Sequence, residues 1–361
     1  MFVKNLWYCA GWDYELSQGR DAILARRLAN EPIVLYRKPD GGVVAMEDRC
    51  AHRQAALHLG RKEGDSLRCM YHGMKYGPDG MCVEIPGQRA IPERARVRTF
   101  PVVEKDNWIW VWMGDPARAD PKMICFAVGP SDPNWTLRTS KITLKANHRL
   151  EIANLVDLSH ANWIHSKTLG GTRAWVDEKP KRTMMPRGVD SEVWFRSVPA
   201  PAFAQHLFPP DALFDQYAQF QVTLPCNFVI HFQVYTAGTA TAGPSNGQMI
   251  LDSYSSQAVT PVDEDTCEYY FSWGVSKATD VPGMSDMLSE TVNAAFREDR
   301  AVLEAQHRNL KERPDGNRVN IVHDAGPEML LRLLDKLLDE EAAEAAQSVP
   351  VRPRRLASAA S

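Results

Sequence analysis

The sequence predicts an α+β chain, with an all-β N-terminal domain followed by an antiparallel sheet flanked by helices. Three observations predict it. The first third breaks into short β-branched and aromatic runs separated by turn tetrapeptides. Strand-like segments recur from residue 191 to 276, and the last third carries two long segments of helical periodicity. With 361 residues there is room for two ordinary domains.

Taken in order, MFVKNLWYCAGWDYELSQ is apolar but interrupted by Lys4, Asn5 and Asp13, so it reads as a first strand and not as a signal peptide. IVLYRKPDGGVVAMED (33–48) is a hairpin around Pro39-Asp40-Gly41-Gly42. Gly77-Pro78-Asp79-Gly80 turns the chain into MCVEIPG, and NWIWVWMGDP (107–116) is an aromatic strand closed by Gly-Asp-Pro. A domain boundary is expected near residue 116. Beyond it, residues 149–165 read as a helix, and strands are expected at 191–198, 216–235, 248–259 and 266–276. A long helix follows from about 284 to 312. EMLLRLLDKLLDEEAAEAAQ (328–347) repeats leucine at i, i+3, i+4 and i+7 and so docks one face. The expected division is 1–116, 117–340 and a disordered tail from 341 to 361, whose end is rich in Pro, Arg and Ala.

Hydrophobic residues make up 44% and charged residues 24%, with a formal net charge of −3. That balance gives no general affinity for nucleic acid or acidic membranes. No apolar run approaches the roughly eighteen residues needed to span a bilayer. Seven cysteines (Cys9, Cys50, Cys69, Cys82, Cys125, Cys226 and Cys267) are scattered along the chain. An odd, dispersed set argues against a disulfide framework and for the cytoplasm, where thiols stay reduced and free to bind metal.

The strongest local signal is Cys50-Ala51-His52 followed by Cys69-Met70-Tyr71-His72. Each half offers one thiolate and one imidazole next to small or turn-forming residues. A Rieske [2Fe–2S] cluster has two cysteines on one iron and two histidines on the other. A structural zinc site is the alternative, but zinc motifs group Cys with Cys and His with His, whereas these pairs are mixed. His58 has no partner at a ligand spacing and reads as a satisfied histidine, and Cys82 as a small core residue.

The second signal is Asn154-Leu-Val-Asp157-Leu-Ser-His160-Ala-Asn-Trp-Ile-His165. At a spacing of three, Asn154, Asp157 and His160 would share one side of a helix. His165 would lie about 140° from that side, so the two imidazoles meet one metal only if the helix ends or bulges. A third ligand comes from the helix near residue 299. Leu288, Val292, Ala295, Phe296, Val302, Leu303 and Leu310 all fall within about 60° of Asp299, which places this carboxylate in the apolar stripe. Arg297, Glu298, Arg300 and Glu304 point to the sides or away. A buried salt bridge is the alternative for Asp299. Two histidines and one carboxylate form the facial triad of non-haem Fe(II) oxygenases, which leaves positions open for O₂.

CAHR, CMYHG, NLVDLSHANWIH and FREDRAVLEAQ, in this order, resemble the Rieske non-haem iron oxygenases over roughly residues 1–340. NLWYCAGW, VEIPGQ and WIWVWMGDPA are similar to the subgroup of vanillate and dicamba O-demethylases and toluenesulfonate methyl-monooxygenases. The resemblance implies a helix-grip-like antiparallel catalytic domain behind the Rieske domain. It implies that Cys50, His52, Cys69 and His72 hold the cluster and that His160, His165 and Asp299 hold Fe(II). Asp157 matches a carboxylate linking the cluster of one subunit to the iron of the next, and Asn154 an asparagine close to the iron. His148 stands where relatives often have tyrosine and is given no role. The implied partners are a small aromatic substrate, a separate NAD(P)H-dependent reductase of flavin or ferredoxin type, and two further copies in a head-to-tail homotrimer.

The implied reaction uses O₂ and reductase electrons to hydroxylate a methyl or methoxy group of an aromatic acid. On a methoxy group the hemiacetal formed releases formaldehyde; on an aryl methyl group the product is an alcohol. Ring cis-dihydroxylation and N-demethylation share the same motifs. An electron carrier would need neither Asp299 nor the long C-terminal region. His231 and Gln257, on expected strands, are candidate substrate contacts, with solvent or a subunit interface as the alternative; alternation puts His231 on one face with Val229, Gln233 and Tyr235.

Overall fold

The structure is a computed structural model that describes residues 1–17, 22–170, 173–225, 227–240 and 246–348. Cys226 and the tail from residue 349 onward lie outside the described residues, and with them the disorder expected there.

The N-terminal region is built from eleven strands among the described residues: β1 (Trp7–Trp12), β2 (Ile23–Leu28), β3 (Glu31–Arg37), β4 (Val43–Glu47), β5 (Arg61–Glu63), β6 (Ser66–Arg68), β7 (Lys75–Tyr76), β8 (Cys82–Glu84), β9 (Thr99–Phe100), β10 (Val102–Lys105) and β11 (Trp108–Trp112). They form three small antiparallel sheets, ordered β1-β11-β10, β2-β3-β4-β9 and β5-β6-β7-β8. The expected hairpin at 33–48 is β3–β4, turned at Asp40 and Gly41. A small core of Val34, Tyr36, Met46, Leu57, Leu67 and Tyr76 underlies the loops that carry Cys50 and Cys69.

β12 (Trp135–Leu144) opens the second sheet, and the expected boundary at 116 falls between it and β11, at the start of a 3₁₀ turn, Pro116–Arg118. The chain then forms α1 (His148–Val156), a 3₁₀ turn at Leu158–His160, α2 (Ala161–Ile164) and α3 (Ala174–Asp177). β13 (Lys181–Met185), β14 (Gly188–Pro199), β15 (Leu213–Thr223), β16 (Asn227–Thr236), β17 (Met249–Asp263) and β18 (Thr266–Ser276) complete a seven-stranded antiparallel sheet, ordered β12-β18-β17-β16-β15-β14-β13. Two helices close the fold, α4 (Met284–Glu312) across β12 and β18, and α5 (Ala325–Ser348) against α1. The aromatic strands β1 and β11 share one hydrophobic core with this sheet and with α4.

Three expectations need correction. The segment read as one strand at 216–235 is two, β15 and β16, separated at Leu224-Pro225. Strands β12 and β13 carry too many polar residues to have stood out by pattern. Residues 341–347, read both as the end of the helix 328–347 and as the start of the tail, belong to the helix, since α5 runs to Ser348. Its Glu341 carboxylate accepts the backbone N–H groups of Lys4 and Asn5 at 2.7 and 2.6 Å, which ties this turn to the N-terminus.

The face of the large sheet that meets α4 is hollowed by small residues. Ile230, Ser255 and Trp273 lie side by side across β16, β17 and β18, as do Phe232, Ser253 and Val275. Serines between large neighbours leave a depression, and their hydroxyls are satisfied within the sheet: Ser253 donates to Gly274 O and Ser255 to Ser272 O, both at 2.9 Å. The pocket described below sits over that depression.

Candidate metal centres and the pocket between them and the sheet

Cys50 and Cys69 open two loops with the same backbone plan. Cys50 N–H donates to Ala55 O and Gln54 N–H to Cys50 O; Cys69 N–H donates to Met74 O and Gly73 N–H to Cys69 O. Each loop turns through a left-handed residue, Gln54 (φ 59°) or Gly73 (φ 77°). At Gly73 a Cβ would also meet Pro86 at 2.7 Å, so glycine is required twice over. Both thiols are buried, and both imidazoles, His52 and His72, are exposed with ring centroids 4.6 Å apart.

These residues fit a Rieske cluster. Burial pushes the Cys69 thiol up, Cys50 faces it directly, and the N–H groups of Tyr71 and His72 point at its sulfur. The Tyr76 hydroxyl lies 3.1 Å from the Cys50 sulfur and accepts the Ala51 N–H at 3.1 Å. Inward thiols surrounded by donors suit anionic sulfur ligands, and outward imidazoles suit the second iron. His58 is satisfied by Asp48, 2.5 Å from its Nδ1, and Cys82 is a core residue.

The second centre depends on a broken helix. α1 stops at Val156 because Asp157 is extended (φ −97°, ψ 101°) and its Oδ1 accepts the Ser159 N–H at 2.8 Å, capping the 3₁₀ turn. The break therefore precedes His160, and Asn154, Asp157 and His160 do not share one helical face. A second stop, at the end of α2, puts His165 at a helix C-cap. The two imidazoles come to 5.2 Å between centroids.

His160, His165 and Asp299 present one ligand atom each, all within 4.8 Å of one another. His165 Nε2 lies 3.2 Å from Asp299 Oδ2, and His160 Nε2 lies 3.6 Å from Asp299 Oδ1. The Nδ1 atoms are already engaged. His160 Nδ1 donates to the backbone oxygen of Asp157, and His165 Nδ1 donates to Glu298 Oε2 at 2.9 Å. This leaves both Nε2 lone pairs directed at the carboxylate, while Asp299 Oδ1 is buried without a hydrogen-bond partner among the described residues. An orphaned carboxylate oxygen between two oriented imidazoles fits a divalent iron. Burial lowers the His160 pKa; burial opposes, but bonds to Asp299 and Glu298 outweigh it and raise that of His165.

Glu298 is a correction. The helical wheel sends it aside, yet its carboxylate accepts from His165 and from the Thr168 hydroxyl at 2.8 Å. Direction at Cα does not limit where a long side chain ends. Another residue the sequence did not single out is Glu151 of α1, fully buried, whose pKa is pushed well up by burial and then by the Asp299 charge. Of the expected stripe on α4, Val302 is 47% exposed and the rest is at least half-buried.

Above the triad lies a cavity of about 740 Å³, counting its open mouth. Asn154, His160, His165 and Asp299 line one end, and Trp175, Phe203, Phe220, Phe228, Phe232, Trp273 and Phe296 line its walls. The aromatic lining suits a planar organic molecule. Gln257 reaches the pocket as expected, but His231 does not. Phe228, Ile230 and Phe232 of β16 face the cavity, so His231 faces the other side of the sheet. There it packs near Trp135 and Tyr254 and pairs with Asp252 at 2.6 Å. The alternation was read correctly; the face was not.

Residues 6–101 match the Rieske [2Fe-2S] domain, and residues 144–340 match the vanillate O-demethylase oxygenase C-terminal domain. The chain belongs to that family of Rieske oxygenases. It is 35% identical to the toluene-4-sulfonate monooxygenase system iron-sulfur subunit of Comamonas testosteroni, over 94% of this chain and 98% of that one. It is 33% identical to the vanillate O-demethylase oxygenase subunit of Pseudomonas sp. (strain HR199 / DSM 7063), over 96% and 98%. The crystal structure of dicamba monooxygenase bound to 3,6-dichlorosalicylic acid superposes with a TM-score of 0.85 at 29% identity, covering 95% of this chain and 99% of that one. Another crystal structure of dicamba monooxygenase contains non-haem iron and dicamba.

As a Rieske oxygenase of this family, the chain is the terminal oxygenase component of a multicomponent monooxygenase acting on aromatic compounds. Its cofactors are a Rieske [2Fe–2S] cluster and a mononuclear non-haem iron, with O₂ as co-substrate, and its reductase is a separate component. No helix among the described residues is long and apolar enough to cross a membrane.

Proposed function

We propose that the chain hydroxylates a methyl or methoxy carbon on an aromatic ring held in the cavity above His160, His165 and Asp299. The observation that carries this reading is the convergence of the two Nε2 atoms and one orphaned carboxylate at one end of an aromatic-lined pocket. In it, Cys50, Cys69, His52 and His72 hold the cluster, and His160, His165 and Asp299 hold the iron. When bound, the cluster relays single electrons and the iron activates O₂. The protein's own work is to stack the ring against its aromatic walls, aim the methyl carbon at the triad and exclude water. Asn154, whose buried Nδ2 lacks a partner among the described residues, lines the same pocket as the triad and is a donor to whatever occupies it.

For a methoxy substrate the balance is one O₂, two electrons and two protons in, and phenol, formaldehyde and water out. An aryl methyl group gives the alcohol and water from the same inputs. Electrons from NAD(P)H reach the chain through a flavin or ferredoxin type reductase in the cytoplasm. The working assembly is a head-to-tail homotrimer, with residues 1–116 of one copy facing residues 117–340 of the next. Two exposed apolar patches support this arrangement. Met70 and Tyr71 rim the cluster histidines, and Trp163, 72% exposed, lies on α2 between His160 and His165. Asp157 then links neighbouring centres: its backbone oxygen holds His160, and its carboxylate lies at the half-buried turn that precedes this histidine.

The test is a screen of methoxylated and methylated arenes with a surrogate reductase, scoring formaldehyde and the hydroxylated ring product. Oxygen uptake coupled to formaldehyde supports the reading. A cis-diol product from every ring that turns over would overturn it.

A further inference from the structure

We propose that a small buried void beside the reaction cavity is a holding site for O₂. It requires only that O₂ is the co-substrate, and it is indifferent to which carbon is oxidised. The void lies where α1 crosses the ends of β15 and β16. Ile152 and Leu155, three apart and so on one side of α1, close it from the helix. Val222 of β15, Phe228 of β16 and Val259 of β17 close it from the sheet. Every described residue in its wall is buried, and there is room for one molecule about the size of water. Its origin is local: Val222 stands opposite Phe228 across the ladder, and a ring beside short side chains leaves a gap that a helix laid over them cannot fill. Leu155 and Phe228 also line the cavity over the triad, so these two side chains form the partition between the void and that cavity.

The wall chemistry favours an apolar diatomic over water. A buried water keeps about three hydrogen bonds. Two described side chains of the wall are polar, Thr223 and Asn227. The Thr223 hydroxyl faces the Cys125 thiol, and Asn227 Nδ2 donates to Gln257 O at 3.4 Å. Asn227 Oδ1 alone is left, an acceptor without a partner among the described residues. One open acceptor is too little to hold a water in place. O₂ is poorly hydrated, so it loses little on leaving solvent and gains dispersion contacts with the surrounding carbons. An aromatic ring stacked in the cavity takes up the room beside the triad. O₂ behind Leu155 and Phe228 does not compete for that room, and one rotamer change at Leu155 opens the partition.

The experiment has a binding arm and a kinetic arm, both on the full-length iron-loaded protein. Crystals are pressurised with krypton, an apolar atom near O₂ in size whose anomalous signal locates it. Krypton in contact with Leu155, Val222 and Phe228 is the expected result. Ordered water in the void under krypton, or no occupant at all, overturns the proposal. The kinetic arm uses Val222→Leu, which fills the void at a residue that does not line the cavity. This variant should exclude krypton and raise the KM for O₂ about fivefold. Its kcat at saturating O₂, its KM for the aromatic substrate and its content of both metals should match wild type. The substrate is whichever methoxyarene releases formaldehyde in the screen above. An unchanged KM for O₂ in a variant that no longer takes up krypton overturns the proposal. Should Val222→Leu not fold, or no methoxyarene turn over, the krypton result on the wild-type protein decides by itself.

Discussion

In the cluster loops, four side chains from one short stretch are held by a repeated pair of backbone hydrogen bonds, with thiols inward and imidazoles at the surface. In the triad, two imidazoles from a twice-broken helix meet a carboxylate from α4, far along the chain, and the whole set lies under a sheet. The first site is made by local turns, and its ligand spacing is written into consecutive residues. The second is made by packing, and each ligand needs a partner to fix its direction: Asp157 O for His160, Glu298 for His165. A site assembled locally should fail only through its ligands. A site assembled by packing should also fail through residues that never touch the metal.

The largest effects test whether the two sites are separable. Asp299→Ala should abolish turnover and mononuclear iron while leaving the red-brown colour and the rhombic signal of the reduced cluster. Cys69→Ala should do the reverse, losing the colour because a methyl group cannot replace a thiolate. Metal analysis and visible absorption on the two variants check this. Loss of both centres in either variant would mean that the domains do not fold independently of each other's metal.

Next in size is Asp157. Asparagine can still accept the Ser159 N–H, and the backbone oxygen that holds His160 is unchanged, so Asp157→Asn should keep both metals. In the proposed trimer its effect should fall on the passage of electrons between subunits, slowing cluster reoxidation about a hundredfold in a single turnover with substrate and O₂. Reoxidation at the wild-type rate would remove the carboxylate from the path. Loss of iron would make it a support for the turn instead.

Glu298→Ala should weaken iron retention about tenfold, by freeing the His165 ring, and leave the cluster spectrum untouched. Dialysis against a chelator, with iron remaining measured over time, distinguishes it from wild type. Retention equal to wild type would mean that the Thr168 and Gly170 turn fixes His165 without help.

How far the sequence reached follows the same division. The mixed Cys-His loops, the long helix 284–312 and the buried place of Asp299 were readable, because each depends on spacing along one segment. The break at Asp157 was not, since an Asp within a helical pattern is silent until its carboxylate finds the Ser159 N–H. Glu298 was misread because an angular wheel describes where a side chain starts, and glutamate has enough reach to come back to His165. His231 failed for another reason. Alternation along β16 sorts residues into two faces but does not say which face is covered, and here the covering helix α4 and the small Ser253 and Ser255 decide it.

The smallest effect concerns a histidine that belongs to neither centre. His148, the first residue of α1, is buried against Phe2, with ring centroids 5.4 Å apart, and its Nδ1 has no hydrogen-bond partner among the described residues. Burial, then Arg149 and the N-terminal amine, lower its pKa to about 3. An unfolded chain would titrate this imidazole near 6.5. Between those values the unfolded state binds a proton that the folded state refuses, so stability falls as the pH drops from about 6.5 toward 3, and His148 has no effect above that window. The slope from this residue alone reaches about 1.4 kcal/mol per pH unit. His148→Phe keeps the ring packed on Phe2 and removes the titration. Denaturant unfolding of the variant and the wild type at pH 7.5, 6.5 and 5.5 should therefore give curves that agree in pH dependence between the first two values and diverge at the third, with the variant the less acid-sensitive. Parallel curves down to pH 5.5 would show that the imidazole is hydrated or protonated in the folded protein. Unlike the metal ligands, it should change neither the iron content nor the cluster colour at any of the three values. A loss of iron in His148→Phe would mean that α1 transmits its packing to the turn at Asp157, and the triad's dependence on its surroundings would extend a full helix farther than Glu298.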